Sequence, residues 1–491
     1  MKIRVCRQPL FHPLLGIALL MNGTALAQGP DRSTPPAVGP VPSYTVPSIQ
    51  RFVLSNGLPV VLIEKHEVPI VQVNLLVRAG SVMEPVGKSG LANMVAAMMT
   101  EGAGNRGALA LSDAIDYLGA TITSTSGQHA MAVRLHTPVA QLDSSLALYA
   151  DIVLRPTFAS QELARKRKER LTALLQWRNE PRVLSTVRFN RLLYGENHPY
   201  GRVAIGNEAS LNTLTRKDCV KFHADWYRAN NATLIVVGDV APVLLQQKLE
   251  TALGKWGPGT ASALEWPAVE QVSKRGIFVV DKPGAPQTEI RLGRIGVPRT
   301  TPDYFAITVM NTILGGSFTS RLNNNLREQH GYTYGAGSSF DFRPLPGPFL
   351  AYAAVQTAVT DKALTEFINE LKRIREPVSE QELARAKNYV ALSYPAEFQT
   401  VGQIAGQLEE LVMFDLPDSY FNTYVKNILA VTREDVQRVA RQYIDPDRIA
   451  IVLVGDSKTI EGPVSALKLG PTVHETIDDV LGKAPVLDTK E

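Results

Sequence analysis

Cysteine is almost missing from this chain: 491 residues contain two, Cys6 and Cys219. Cys6 lies in an N-terminal segment that reads as removable, so the mature chain keeps one thiol and no internal disulfide. It must be held by its core. Cys219 sits in a helical pattern and reads as buried filler, not as a nucleophile. Histidine is also scarce. His66, His129, His136, His198, His223, His330 and His474 form no pair four apart and stand beside no cysteine at zinc-site spacing. Charge of either sign is nearly balanced, at +4. Residues 1–27 hold Lys2, Arg4 and Arg7 and no acid, so without them the balance falls by three to +1. That excludes an electrostatic case for nucleic acid or an anionic membrane surface. No apolar run approaches the roughly 20 residues that a membrane-spanning helix needs.

What is present at the N-terminus is an export signal. The basic residues precede the short apolar stretch Leu14 to Met21, and Ala25-Leu26-Ala27 supplies a small-x-small cleavage site. Cleavage after Ala27 is expected, leaving Gln28 first. The rest is 45% hydrophobic and 20% charged across the chain, ordinary for a folded protein and long enough for two domains of about 200 residues.

Residues 28–47 are rich in Pro, Ser and Gly and read as an extended arm. Strand patterns follow at Phe52 to Leu54, Pro59 to Glu64 and Ile70 to Val77, with a turn at Asn56-Gly57. A helical run covers Gly90 to Met99, and strand-like runs cover Ala120 to Ser126 and Ala130 to His136. Helical patterns span about 140–153, 160–178, 182–193 and 215–228, and a buried-strand run ends at Gly238-Asp239. After a Gly, Pro, Ala and Ser-bearing linker at 256–274, the order returns. Gln161-Glu162-Leu163-Ala164-Arg165 recurs as Gln381-Glu382-Leu383-Ala384-Arg385. Leu214-Thr215-Arg216-Lys217-Asp218 recurs as Val431-Thr432-Arg433-Glu434-Asp435, and Val236-Val237-Gly238-Asp239 as Leu453-Val454-Gly455-Asp456. Three matches in order, at offsets of 220, 217 and 217, imply an internal duplication. The expected fold class is α+β: two homologous domains, 48–255 and 275–470, each a mostly antiparallel sheet with its own covering helices. Residues 471–491 read as a tail.

The first half carries Gly80-Ser81-Val82-Met83-Glu84-Pro85 and then Gly90-Leu91-Ala92-Asn93-Met94-Val95-Ala96-Ala97. This resembles the active-site helix of the pitrilysin and insulin-degrading family of inverted zinc peptidases. There the pattern is H-x-x-E-H: two His one turn apart bind zinc, and the Glu activates water. Here those three positions are Asn93, Ala96 and Ala97, an amide and two methyl groups. The family's third ligand, a Glu on a later helix, falls near 174–176, where Leu174, Leu175 and Gln176 stand, with Glu169 upstream. No zinc site and no peptidase activity are expected of this chain alone.

The second half carries Gly315-Gly316-Ser317-Phe318, Ser320-Arg321-Leu322, Leu326-Arg327-Glu328, Gly331 and Tyr334. This resembles the family's C-terminal segment, in which an Arg and a Tyr seven apart reach the substrate at the zinc. The resemblance places those roles on Arg327 and Tyr334, with Tyr332 a lesser candidate. Asn197-His198-Pro199-Tyr200-Gly201 matches a loop common in the family, and His198 there reads as structural. Thr100 to Asn105 follows a helix instead of opening one, and reads as a turn, not a phosphate cradle.

The resemblance, over about residues 48–460, implies a non-catalytic, substrate-binding subunit of a heterodimeric zinc peptidase. Zinc would sit on a homologous partner subunit, the substrate would be a peptide or unfolded polypeptide bound by strand addition, and the compartment would be the periplasm. Two alternatives stay open: a stand-alone exported peptide-binding or chaperone-like protein, and a structural scaffold subunit.

Overall fold

The computed structural model describes Gly39, residues 45–259 and residues 267–486. The signal segment, most of the arm, the middle of the linker at 260–266 and the last five residues of the tail lie outside the described residues.

Two six-stranded sheets organise the chain. The first uses β1 (Gln50–Val53), β2 (Pro59–Glu64), β3 (Ile70–Val77), β6 (Thr121–Ser126), β7 (Met131–Pro138) and β8 (Ala232–Gly238), in the order β1-β2-β8-β3-β7-β6. The short strands β4 (Gly102–Ala103) and β5 (Arg106–Gly107) form a separate pair, as expected of a turn at 100–105. The second sheet uses β9 (Gly276–Asp281), β10 (Gln287–Ile295), β11 (Thr333–Phe340), β12 (Pro348–Gln356), β13 (Ala450–Gly455) and β14 (Thr472–Glu475), in the order β11-β12-β10-β13-β9-β14. In each sheet the last long strand of its half runs parallel to the first and antiparallel to the second: β8 beside β2 and β3, β13 beside β9 and β10. The other pairs of long strands are antiparallel, so the two connectivities coincide from β2 to β8 and from β9 to β13.

Local chemistry explains why the repeated strings recur. Thr215 and Asp218 form a reciprocal capping box at the start of helix Arg216–Trp226, and Thr432 and Asp435 do the same for helix Arg433–Tyr443. Gly238 and Gly455 each end a central strand where a side chain has no room. A Cβ at Gly238 would stand 2.3 Å from the Ile70 carbonyl oxygen, and one at Gly455 would stand 2.6 Å from the Thr288 hydroxyl. β8, central in its sheet, is buried nearly end to end and reads as a continuous apolar run, whereas β6, at the edge, alternates.

On one face of the first sheet lie α1 (Leu91–Met99), α2 (Ala108–Tyr117), α3 (Leu142–Leu154) and α4 (Ser160–Trp177), packed with it into one apolar cluster. The opposite face is where expectation and structure differ. It is covered by helix Val401–Met413 from the second half, whose Ile404, Leu408 and Leu411 bury against Val61, Ile63, Ile235 and Val237. In return α5 (Pro181–Tyr194) of the first half lays Leu184, Val187 and Phe189 on Val280, Val452 and Val454 of the second sheet. Each sheet is thus covered by its own helices on one face only, and the halves exchange one helix apiece. Full burial of a side chain such as Leu408 stabilises by about 1.5–3 kcal/mol. Ion pairs follow the same exchange, Glu409 bonding Arg134 through both oxygens and Asn74 through one. No helix among the described residues is long and apolar enough to cross a membrane.

Candidate functional site

Glu84 organises the start of α1. Its buried carboxylate accepts from the Gly90 N–H at 3.1 Å and the Ala92 N–H at 2.9 Å, capping the helix that carries the family-like positions. Burial pushes this carboxyl up to about 8, against the opposing pull of those two N–H groups and of Arg202. Gly90, at φ +91, leaves no space for a Cβ, which would meet the Ile205 carbonyl at 2.6 Å. The Gly-x-x-x-Glu turn is therefore a helix cap, a role that reading the motif for its chemistry did not reveal.

Along α1, Ala96 is buried and Asn93 and Ala97 are half-buried. The Asn93 Oδ1 is buried and has no hydrogen-bond partner among the described residues. On α4, Leu174 belongs to the apolar core, Leu175 is half-buried and Gln176 is exposed. Glu169 is ion-paired to Arg165 and Lys166. Glu101, just past α1, pairs with the same two cations, Lys166 Nζ lying 2.8 Å from its carboxylate, and Arg165 also holds Glu162 at 2.7 Å. The two helices that would share a metal in the resembled family are joined here by ion pairs. Zinc requires nitrogen, sulfur or carboxylate donors, and one amide, two methyls and an exposed glutamine do not supply them. No three His, Cys, Asp or Glu side chains among the described residues come together to hold a metal ion. Zinc does not fit this cleft, and no chemical step runs through it.

The second half presents the opposite case. Between helix Tyr304–Asn311 and β11 the chain passes through two wide π-helical turns, Thr312–Gly316 and Asn324–Gln329, a conformation that is rare and concentrates at functional sites. Gly315 lies so close to β11 that a Cβ would come within 2.3 Å of the Ser338 nitrogen. Asn325 anchors the second turn by donating to Glu366 and to the buried Glu370. From that turn the Arg327 guanidinium lies 4.4 Å over the Phe318 ring and 3.1 Å from the Glu328 carboxylate, with a third of its side chain exposed. Tyr334, at the start of β11, is 91% exposed. Tyr332 instead stacks on His330, with ring centroids 4.9 Å apart, and packs against the core. Arg327 and Tyr334 thus occupy adjoining elements, Arg327 half-buried against Phe318 and Tyr334 exposed.

The remaining sequence candidates are structural. His198 Nδ1 accepts from the Tyr200 N–H at 3.0 Å, and its ring stacks on Tyr194. The Tyr200 hydroxyl meets His129 at 2.5 Å while Arg343 of the second half lies 4.5 Å over the Tyr200 ring. Burial first, then Arg343, pushes His129 down to about 4. Burial pushes the Cys219 thiol up to about 12, so it carries no nucleophile.

Two models of one family match the chain: insulinase (peptidase family M16) over residues 59–193, and the peptidase M16 inactive domain over residues 213–390. Together they take in more than half of it. The chain belongs to the M16 peptidase family. Among its M16 relatives, an uncharacterized zinc protease of Rickettsia bellii is 25% identical over 338 residues, 69% of this chain and 81% of the relative. A non-peptidase homolog, YmxG, of Helicobacter pylori is 21% identical over 406 residues, 82% of this chain and 92% of the relative. The crystal structure of a peptidase M16 inactive domain from Pseudomonas fluorescens superposes with a TM-score of 0.78 at 26% identity, covering 83% of this chain and 98% of that one. A protease from Helicobacter pylori gives 0.76 at 22% identity, over 83% of this chain and 100% of that one, a likeness of fold alone.

Proposed function

We propose that this M16 chain is the non-catalytic, substrate-binding subunit of a heterodimeric zinc metallopeptidase that acts on peptides. Arg327 and Tyr334 serve an active site whose zinc is held by a homologous partner subunit. The observation that carries this reading is the pairing of opposites in one chain. One half offers no metal donor at Asn93, Ala96, Ala97 and Gln176, and the other holds a half-buried arginine on a π-helical turn beside an exposed tyrosine at the start of β11.

In such a site the guanidinium donates to a substrate carbonyl and the phenol hydroxyl donates to the oxyanion that forms as water adds. Removing one donor of this kind lowers kcat by about 10²–10³-fold. The reading includes a duplicated ancestor, export through residues 1–27 and a periplasmic location.

The test is purification of the tagged mature chain from its own cells, followed by a zinc-dependent peptidase assay. A homologue bearing H-x-x-E-H is expected to come with it. Arg327→Ala and Tyr334→Phe are expected to assemble normally and to lose turnover. A chain that comes down alone and inert removes the heterodimer reading and leaves that of a stand-alone exported peptide binder. Zinc-dependent cleavage by the lone chain removes both.

A further inference from the structure

The loop that leads into the short helix Glu208–Thr213 is tightly built. Gly201 sits so close to the turn before it that a Cβ would stand 1.9 Å from the Gly195 carbonyl oxygen. Asn207 and Ser210 form a reciprocal capping box at the start of the helix. Ser89, just ahead of α1, donates to the Val203 carbonyl at 2.8 Å, and the Ser210 hydroxyl donates to the Ser89 carbonyl at 2.8 Å. Loop, short helix and the lead into α1 are thus bonded to one another, and between them opens a cavity of about 410 Å³. Small-molecule sites run from roughly 300 to 1,000 Å³. Neither Arg327 nor Tyr334 lines this cavity, and none of the family's zinc positions does.

One charge in the lining is unmatched. Arg191 and Glu196 pair with each other at 3.4 Å. Beside the lining, Lys88 pairs with Asp218 at 3.0 Å, and Glu208 accepts from the Val486 N–H at 3.3 Å. Arg202 donates to two backbone carbonyls, those of Glu84 at 3.2 Å and Asn197 at 3.0 Å, and has no carboxylate partner among the described residues. Two of the five N–H donors of a guanidinium are thereby used, and three remain. The Glu84 side chain does not neutralise Arg202, since burial pushes that carboxyl up to about 8 and leaves it largely protonated at neutral pH. Asn207 Oδ1 accepts from the Ser210 N–H at 2.8 Å, and its amide N–H groups have no partner among the described residues. Val86, 88% exposed, and Val203 and Ala209 add apolar surface to the lining.

We infer that this cavity is a binding site for a small organic carboxylate. The planar carboxylate meets the Arg202 guanidinium through two parallel N–H···O bonds, with the Asn207 amide as a further donor. The hydrocarbon part of the ligand lies against Val86, Val203 and Ala209. A single negative charge matches the single unmatched cation, whereas a phosphate group, at about −1.5 to −2 near neutral pH, exceeds it. The inference is independent of the peptidase role proposed above.

The mature chain without a partner is titrated by calorimetry with hexanoate, hexanamide, hexylammonium and inorganic phosphate. Hexanoate is expected to bind in the millimolar range, with the other three weaker by about tenfold or more. Arg202→Gln is expected to weaken hexanoate binding by about tenfold or more, and Arg202→Lys by less, because lysine keeps the charge but not the fork. Arg202 also bonds the loop, so a second variant leaves it untouched. Ala209→Trp, at an exposed position, fills the cavity and is expected to abolish binding with Tm unchanged. Failure of hexanoate to bind overturns the inference. So does equal binding of hexanamide or phosphate, or hexanoate binding that Ala209→Trp leaves as it was. Turnover with a zinc-bearing partner is read separately through Arg327 and Tyr334, so failure of one reading is not failure of the other.

Discussion

Glu84 shows how a residue can be visible in a motif while its role stays hidden. The Gly-x-x-x-Glu spacing pointed to a turn before α1, yet only the packed geometry reveals that the carboxylate accepts from Gly90 and Ala92 while buried. The lack of zinc donors at Asn93, Ala96 and Ala97 is by contrast a property of residue type and needs no coordinates. The role of Glu101 was not legible, since its cations Arg165 and Lys166 lie more than sixty residues away in sequence. Removing the Glu84 acceptor by Glu84→Ala leaves buried N–H groups unpaired and is expected to cost about 1–3 kcal/mol, read as a lower Tm. The pH dependence has a definite sign. A carboxyl raised from the ordinary 4.5 to about 8 stabilises the fold fully below the ordinary value, and this contribution is lost as pH rises through about 8. Glu84→Gln keeps an acceptor and cannot ionise, so melts from pH 5 to pH 9 should show a flatter profile than the parent. An identical slope in both proteins would assign the titration elsewhere.

At the scale of elements, the periodic patterns placed most helices and strands closely. The run at 160–178 is α4 at Ser160–Trp177, and Ile70 to Val77 is β3 itself. Period reports which face of a helix is apolar but not which sheet that face meets. The exchange of α5 and helix Val401–Met413 was therefore hidden, as were the two π-helical turns. The exchange has a measurable consequence. All four tryptophans, Trp177, Trp226, Trp256 and Trp266, belong to the first half or its linker, and Trp226 and Trp256 pack into or against the first core. Leu408 belongs to the second half but is fully buried against the first sheet. Leu408→Ala is expected to cost about 2–5 kcal/mol. Urea unfolding followed by tryptophan emission should move to a lower midpoint in step with unfolding followed by circular dichroism. If the emission midpoint stays put while the dichroism shifts, the halves unfold independently and the exchanged helices do not couple them.

For the molecule as a whole, the division of labour between halves turns on whether the chain can hold zinc by any route. Its net charge of +4 gives no general attraction for a divalent cation. The family's ligand positions offer an amide, two methyls and a solvent-exposed glutamine, and α1 and α4 are already joined through Glu101, Arg165 and Lys166. A ligand that binds only the folded state at a concentration a hundred times its Kd stabilises by about 2.7 kcal/mol, which would raise Tm by several degrees. The expected result for the isolated chain is no such rise in a zinc titration, and no loss of Tm on adding a chelator. A complex with a zinc-bearing homologue should behave in the opposite way, losing both turnover and stability to the chelator, because its metal sits on the partner. A zinc-dependent rise in Tm of the lone chain would mean that ligands come together outside the family cleft. The assignment of the metal to the partner would then fail, even if Arg327 and Tyr334 proved essential to turnover.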